Sequence, residues 1–244
     1  MHHSHLRPRA PPFGWLAKKK HFQNFMKKFR REIQPKKIRF YHCGEYGDLY
    51  RRPHYHALIF GHDFPDKKWH MKRGDNNLYT SDTLSSYWGK GYCSIGDVTL
   101  ESAGYVARYV MKKINGPQAQ TLDPETGLRH YETITQDHEI IDLQPEYTTM
   151  SNRPGIGHDW YQEHKNETFP SDTVIVKRRP QQPPSYYANL YQAENPEGYA
   201  ILKEKRISAI ARSPDQTLER LKVRETVKLA QIQNLSRTLP ERST

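Results

Sequence analysis

Residues 52–60 of the chain are Arg52-Pro53-His54-Tyr55-His56-Ala57-Leu58-Ile59-Phe60, and the predicted architecture builds outward from this segment. Such β-branched and aromatic residues are common in strands, and a proline at a strand's entry costs no ladder hydrogen bond. Because side chains alternate along a strand, His54 and His56 share one face. Both faces are mainly apolar, which favours a central strand over an edge strand.

Two imidazoles side by side on a rigid strand are a typical chelating pair for a divalent metal. Residues 38–46 predict a second strand, joined to the first as an antiparallel hairpin by a short loop containing glycine. Glu45 and His42 both approach the histidine pair but lie on opposite faces of their strand, so only one is the third ligand. We favour Glu45, because a carboxylate completes a two-histidine, one-acid site with open positions for substrate oxygens.

The composition limits the class of protein. The chain has 244 residues, 35% of them apolar, and a mean hydropathy of -0.96. Such a composition allows a compact core over only about 100–150 residues. No run approaches the ~18 apolar residues of a membrane span. The two cysteines, Cys43 and Cys93, exclude a disulfide framework and a four-cysteine zinc site.

The positive charge is concentrated in the first 40 residues. They hold twelve Lys/Arg against one acid, Glu32, while the rest of the chain has 26 of each sign. Residues 1–15 predict a disordered basic leader, and residues 16–33 an amphipathic helix with apolar residues at helical spacing. A basic face of this kind predicts contact with nucleic-acid phosphates; an anionic membrane is the second candidate partner. The predicted phosphate-binding residues of this helix are Lys27, Lys28, Arg30 and Arg31.

Residues 101–114 predict a second amphipathic helix. Its aliphatic stripe is Ala103, Val106, Ala107, Val110 and Ile114, and a neighbouring stripe is Tyr105, Tyr109, Lys112 and Lys113. We expect the aliphatic residues to pack in the core and the tyrosines to be left for chemistry on a phosphodiester. A phenol becomes a useful nucleophile where a cation favours the phenolate and a metal neutralises the phosphate under attack. Lys112 or Lys113 is the predicted cation.

The strings RPHYHALIFG (52–61) and YVARYVMKK (105–113) together resemble the HUH endonucleases of the rolling-circle replication initiator class. GEYG (44–47) and MSNRPGIG (150–157) extend the resemblance to initiators of gokushovirus-type Microviridae, small phages with single-stranded DNA. The resemblance covers about residues 16–165. Residues 1–15 depart from it, since they match neither the cysteine-containing leader nor the TLTY-type first strand of these proteins.

The resemblance implies an α+β fold with a central antiparallel sheet flanked by helices. It implies a metal-dependent nickase and strand-transferase that cuts single-stranded viral DNA at its origin through a 5′-phosphotyrosine, in the host bacterial cytoplasm and without a membrane partner. His54 and His56 would bind Mg²⁺ or Mn²⁺, with Mn²⁺ better suited to imidazole, and Tyr105 and Tyr109 would be the nucleophiles. Host replication machinery is a further expected partner. Additional expected DNA contacts are Arg52, Arg108 and Arg153.

The expected domain organisation is a nickase domain at 16–180, a Pro-rich linker at 181–198 and a helical tail at 199–244. Within the nickase domain, residues 61–100 predict loops with one short helix at 83–88, and residues 130–141 a hairpin. The competing function is a non-catalytic single-stranded DNA-binding protein or decayed initiator, indifferent to metal. A zinc-dependent hydrolase is less favoured because the sequence has no HExxH motif.

Overall fold

The computed structural model describes residues 16–47, 52–109, 113–135, 137–211 and 214–233. The predicted leader at 1–15 lies outside these ranges. The elements in chain order are α1 (Lys19–Glu32), β1 (Arg39–Tyr46), β2 (Pro53–Phe60), β3 (Lys68–Arg73), β4 (Asn76–Thr80), α2 (Asp82–Trp88), α3 (Leu100–Arg108), α4 (Pro117–Gln120), β5 (Glu132–Ile134), β6 (Ile140–Asp142), β7 (Tyr147–Met150), α5 (His158–Ser171), β8 (Val174–Val176), β9 (Arg179–Gln181), α6 (Ser185–Glu194), α7 (Pro196–Ala211) and α8 (Leu218–Gln233). The architecture is mixed α/β with small antiparallel sheets.

The sheet that carries the candidate site has three antiparallel strands in the order β2-β1-β7. The predicted β1–β2 hairpin is confirmed, with Glu45 opposite His54 and Cys43 opposite His56. On the other side of β1, Gly44 pairs with Tyr147 of β7. The pairing of β1 with β7, about a hundred residues away, places β1 at the centre of the sheet. Among the described strands, β2 lies at the edge rather than at the centre as predicted.

Helices cover the two faces of this sheet. The apolar stripe of α1, which is Phe22, Phe25, Met26 and Phe29, packs on the face that presents Phe40 and Ile59. Val106 of α3 packs on the opposite face with Cys43 and Leu58. Burying each large apolar side chain stabilises the fold by about 1.5–3 kcal/mol, so α1 and α3 are both held by their contacts with the sheet.

Helix α3 is shorter than the sequence predicts. It begins at a capping box in which Thr99 and Ser102 exchange hydrogen bonds, and it ends at Arg108 rather than at Ile114. The predicted stripe is also wrong at Ala107, which is exposed. Residues 113–115 are not helical, consistent with Gly116 and Pro117 following them, since a left-handed glycine and a proline both interrupt a helix.

The segment 61–100 contains a hairpin that the sequence analysis missed. Strands β3 and β4 pair around Gly74, which has a φ of +57° that suits glycine. Most of their side chains are exposed, so the alternation that signals a half-buried strand is weak. The short helix near Thr83 is confirmed as α2, capped by Ser81, and the hairpin near residue 130 is confirmed as β5–β6.

The chain divides into two compact units between Ile156 and Gly157. In the second unit, Tyr161, Phe169 and Leu202 form a buried cluster with residues of α6. Helix α6 occupies residues 185–194, within the predicted linker, because its tyrosines and Leu190 pack against α5 and α7 instead of remaining in solvent. Among the described residues, no helix has the length and apolar character needed to cross a membrane.

Candidate active site

Glu45, His54 and His56 lie on one face of the β1–β2 hairpin. Glu45 is fully buried, and its Oε1 accepts a hydrogen bond from Nε2 of His56 at 3.1 Å. His54 lies directly opposite Glu45 in the ladder, a position at which side chains are neighbours. Its Nδ1 is buried with no hydrogen-bond partner among the described residues. The register therefore brings the two predicted histidines and the favoured carboxylate together.

These three side chains are neighbours rather than a closed set of ligands. No group of three His, Cys, Asp or Glu residues in the described ranges is arranged to hold a metal ion as it stands. The separation of 3.1 Å between Glu45 Oε1 and His56 Nε2 matches the ~3 Å between adjacent ligands that each lie about 2.1 Å from one cation. Leaving the buried Nδ1 of His54 unsatisfied costs about 1–3 kcal/mol. The types of donor thus suit a divalent cation, but these side chains would have to rearrange to enclose one.

His42, the alternative third ligand, lies on the other face of β1. Its ring stacks on Phe22 of α1 with centroids 3.6 Å apart, and its Nδ1 shares a hydrogen bond of 3.1 Å with Oγ1 of Thr149. Burial, with a smaller contribution from the charge of His56, lowers the pKa of His42 to about 3. His42 is consequently a neutral core residue beneath α1, and the register separates it from the histidine pair.

Tyr105 and Tyr109 lie against His56, on the face of the sheet that carries the histidine pair. The phenol of Tyr109 stacks on the imidazole of His56, with ring centroids 4.2 Å apart and planes inclined by 16°. Tyr105 packs edge-on against Tyr109, and the two hydroxyls share a hydrogen bond. The expectation that only aliphatic residues of α3 pack is wrong, because Tyr109 is buried with Val106.

Cys43 fixes α3 over this face. It lies two residues from Glu45 on the same face of β1, and its thiol donates a weak hydrogen bond of 3.9 Å to the carbonyl oxygen of Val106. Val106 and Leu58 pack beside it. The sequence alone assigns Cys43 no role beyond excluding a disulfide framework and a four-cysteine zinc site, although strand alternation places it on the face of Glu45.

The predicted basic residues of the site are scattered. Lys112 lies outside the described residues, and Lys113 is exposed beyond the end of α3. The Arg108 guanidinium lies 6.0 Å from the ring centroid of Tyr105, so the described part of the chain places a cation beside the tyrosines. Arg52 is exposed immediately before β2, and its carbonyl oxygen accepts a hydrogen bond from the N–H of Gly47.

Arg153 and the basic residues of α1 lie away from the tyrosines. Arg153 is exposed in a turn that follows Ser151, whose N–H donates to the carbonyl oxygen of Phe40. Phe40 is five residues from Glu45 along β1, about 17 Å at strand spacing. Helix α1 covers the opposite face of the sheet, so its predicted phosphate-binding residues, which are Lys27, Lys28, Arg30 and Arg31, do not line the histidine–tyrosine face.

Known proteins match the part of the chain that builds this site. Residues 12–114 match the family model of the replication-associated protein ORF2. Replication-associated protein VP4 of Bdellovibrio phage phiMH2K is 34% identical over 181 residues, which are 71% of this chain and 51% of that protein.

Two further relatives match shorter parts. Replication-associated protein ORF2 of Spiroplasma virus 4 is 29% identical over 64% of this chain and 43% of its own length. Replication-associated protein ORF4 of Chlamydia phage 1 is 34% identical over 38% of this chain and 25% of its own length. The chain therefore spans about half, or less, of the curated relatives that it matches. No solved structure matches the chain significantly. The match to the family model covers β1, β2 and α3, which together carry Glu45, His54, His56, Tyr105 and Tyr109.

Proposed function

We propose that this chain acts in the initiation of phage DNA replication, as an HUH-type nickase that cuts single-stranded DNA through a tyrosine. The observation that carries the proposal is the stacking of Tyr109 on His56, which is itself hydrogen-bonded to the buried Glu45. A phenol, an imidazole and a carboxylate that meet on one face of a sheet are the groups that a metal-assisted attack on a phosphodiester requires. The names of the matching phage proteins support replication as the process.

Glu45, His54 and His56 are the residues that would hold the divalent cation, Mg²⁺ or Mn²⁺. A cation bound there would neutralise the charge of the scissile phosphate and make its phosphorus a better electrophile. Glu45 would supply a buried negative charge that offsets the charge of the cation. Two imidazoles favour Mn²⁺ over Mg²⁺, because Mg²⁺ prefers oxygen ligands.

The tyrosine pair would supply the nucleophile. One phenol first loses its proton to water. As its oxygen then bonds to phosphorus, the bond from phosphorus to the 3′ oxygen breaks, and that oxygen takes a proton from water and leaves as a free 3′-OH. The hydroxyl of the other tyrosine donates a hydrogen bond to the attacking oxygen and so stabilises it as a phenolate. Arg108, beside Tyr105, adds a positive charge that favours the same ionised form. The phosphotyrosine keeps the bond energy for a later rejoining step.

A second candidate function is binding of single-stranded DNA without cutting. The burial of Tyr109 favours it, since a nucleophile that is 7% exposed must become accessible before it can attack a strand. A binding protein would be indifferent to metal ions and to replacement of Tyr105 and Tyr109. Covalent adduct formation on labelled single-stranded DNA, with Mn²⁺ or with a chelator, therefore separates the two functions directly.

A further inference from the structure

The outer face of α1 carries positive charge that the candidate active site does not use. With Phe22, Phe25, Met26 and Phe29 against the sheet, the outermost side chains of the helix are Lys20, Gln23, Asn24, Lys27 and Arg31. We call Lys20, Lys27 and Arg31 the α1 crest. Spacings of seven and four residues place these three cations about 10 Å and 6 Å apart along the helix axis.

The crest differs from the two sides of the same helix, where Lys28 and Arg30 make contacts within the chain. Lys28 donates to the carbonyl oxygen of Ser86 at 2.8 Å, and Arg30 lies 5.4 Å from the ring centroid of Phe40. Lys20 and Lys27, by contrast, make no hydrogen bond or ion pair with the described part of the chain. Arg31 pairs only with its exposed neighbour Glu32 at 3.0 Å, a contact of little energetic value.

The arrangement of charge on α1 disfavours the helix itself. Lys27 and Arg31 are like charges at i and i+4, which destabilises an isolated helix by a few tenths of a kcal/mol. The first turn contains lysines and no acid, whereas the positive end of the helix dipole favours acids there. A face that serves only for solubility would have both signs interspersed. Uncompensated cations at these positions instead fit an anionic polymer as the partner.

The crest lies on the opposite side of the sheet from the tyrosines. Helix α1 packs on the face of Phe40 and Ile59, and Tyr109 packs on the face of Cys43 and Leu58. Both the sheet and helix α1 lie between the crest and the tyrosines, and their combined thickness is about 20 Å. A strand stacked as in a duplex, with one phosphate per about 3.4 Å, covers a straight path of that length with about six nucleotides and needs more around the edge of the sheet.

We propose that the α1 crest binds the phosphates of a second segment of the DNA, distant from the segment that reaches Tyr105 and Tyr109. This inference rests on the proposed function for the identity of the polymer. Gln23 and Asn24 supply amide donors between the cations, as in phosphate contacts generally. A membrane fits less well, because no large hydrophobic side chain is exposed on α1, all of whose residues are described, to enter a bilayer.

The test compares two lengths of single-stranded DNA that contain the same cleavage site. A strand of about five nucleotides, about 17 Å long at that spacing, reaches the tyrosines alone, and one of about 30 nucleotides reaches both faces. The test variant is Lys20→Gln/Lys27→Gln/Arg31→Gln, and the matched control, Lys203→Gln/Lys205→Gln/Lys222→Gln, removes three exposed cations from the second unit. Circular dichroism checks that each variant is folded.

We expect wild-type and control to bind the long strand more tightly than the short one, and the crest variant to lose this difference. The slope of log affinity against log salt should become shallower by about 2, since each single-strand phosphate contact contributes about 0.7. Between about 50 and 200 mM salt, the affinity of wild-type should therefore fall about 20-fold further than that of the crest variant. Adduct yield on the short strand should be equal in all three proteins.

Other outcomes would overturn the proposal. If the control variant lost the same difference in affinity between long and short strands, overall net charge rather than the crest would be the cause. Loss of short-strand adducts in a folded crest variant would place α1 in the same site as the tyrosines. If the crest variant lost binding to vesicles containing phosphatidylserine, and strand length had no effect on DNA affinity, the partner of the crest would be a membrane surface. Because long-strand affinity is measured separately, absence of any adduct would contradict the nickase function and leave the test of the crest intact.

Discussion

The imidazole of His56 stacks on the phenol of Tyr109, with ring centroids 4.2 Å apart and planes inclined by 16°. The same imidazole donates to the buried carboxylate of Glu45. One histidine thus connects the carboxylate of the central strand to a tyrosine at the end of α3. A change to any one of these three groups should therefore affect the chemistry of the other two.

Replacing Glu45 by Gln should weaken metal binding while keeping the packing. An amide has nearly the shape of the carboxylate and still accepts the hydrogen bond from His56, but the negative charge that would neutralise a cation is lost. We expect the Mn²⁺ concentration for half-maximal adduct formation to rise by about 10–100-fold or more. A Mn²⁺ titration of adduct yield measures this.

The matched control for that experiment is Glu146→Gln. Glu146 is also a buried glutamate of the first unit, and it accepts a hydrogen bond from the Tyr131 hydroxyl at 2.7 Å. If Glu45→Gln and Glu146→Gln have the same Mn²⁺ dependence as wild-type, Glu45 is not a ligand of the cation.

The burial of His42 should make stability depend on pH. The pKa of His42 is lowered from 6.5 to about 3, so between these values the unfolded chain binds a proton that the folded chain does not. The free energy of unfolding should therefore fall as pH decreases through that window, by up to about 1.4 kcal/mol per pH unit from this group. The stabilisation is present in full above pH 6.5, the unfolded-state pKa.

The comparison for this prediction is His42→Phe, which keeps a ring against Phe22 and removes the titrating group. Tyr55 and Tyr147, the titratable neighbours of His42 on its face, have a raised pKa and stay neutral throughout the window. Urea unfolding between pH 7 and pH 4 should give a steeper loss of stability for wild-type than for His42→Phe. Parallel pH profiles for the two proteins would contradict the assignment of His42 as a buried neutral residue.

Gly44 should resist substitution because of Tyr147. A Cβ at position 44 would lie 2.7 Å from Cε1 of Tyr147, closer than carbon atoms approach without displacement. We expect Gly44→Ala to lower the free energy of unfolding by about 1–3 kcal/mol. Because the clash is with the Tyr147 ring, the loss of stability caused by Gly44→Ala should be smaller in a Tyr147→Leu background. A double-mutant cycle, with urea unfolding of each variant, measures this coupling between the two positions. Additive effects would show that Tyr147 is not the cause.

Much of the site followed from strand alternation. The residue types in 52–60 and 38–46 predicted a hairpin, and the two-residue repeat placed His54 and His56 on one face. The choice between Glu45 and His42 needed the register, which the pairing of Glu45 with His54 provides. The register could not be predicted from the sequence, because the intervening loop does not determine which residues face each other.

Other features depended on contacts between distant residues. The third strand, β7, lies about a hundred residues from β1, and no local sequence pattern predicts that these two strands pair. The tyrosines of α3 pack because Cys43 and Leu58 offer them an apolar surface, which helical periodicity within α3 could not show. The position of the basic face of α1 across the sheet from the site likewise depends on which sheet face each helix covers.

The most direct measurement is covalent adduct formation by the pair Tyr105 and Tyr109. The chain is incubated with 5′- and 3′-labelled single-stranded DNA containing the cognate origin, with Mn²⁺ or chelator, and analysed on a denaturing gel. Wild-type and the control Tyr92→Phe, which alters an exposed tyrosine elsewhere in the first unit, should form a Mn²⁺-dependent adduct. Tyr105→Phe/Tyr109→Phe should form none while binding the strand with unchanged affinity. An adduct that persists in the double variant, or that forms equally well in chelator, would contradict a metal-assisted tyrosine nickase at this site.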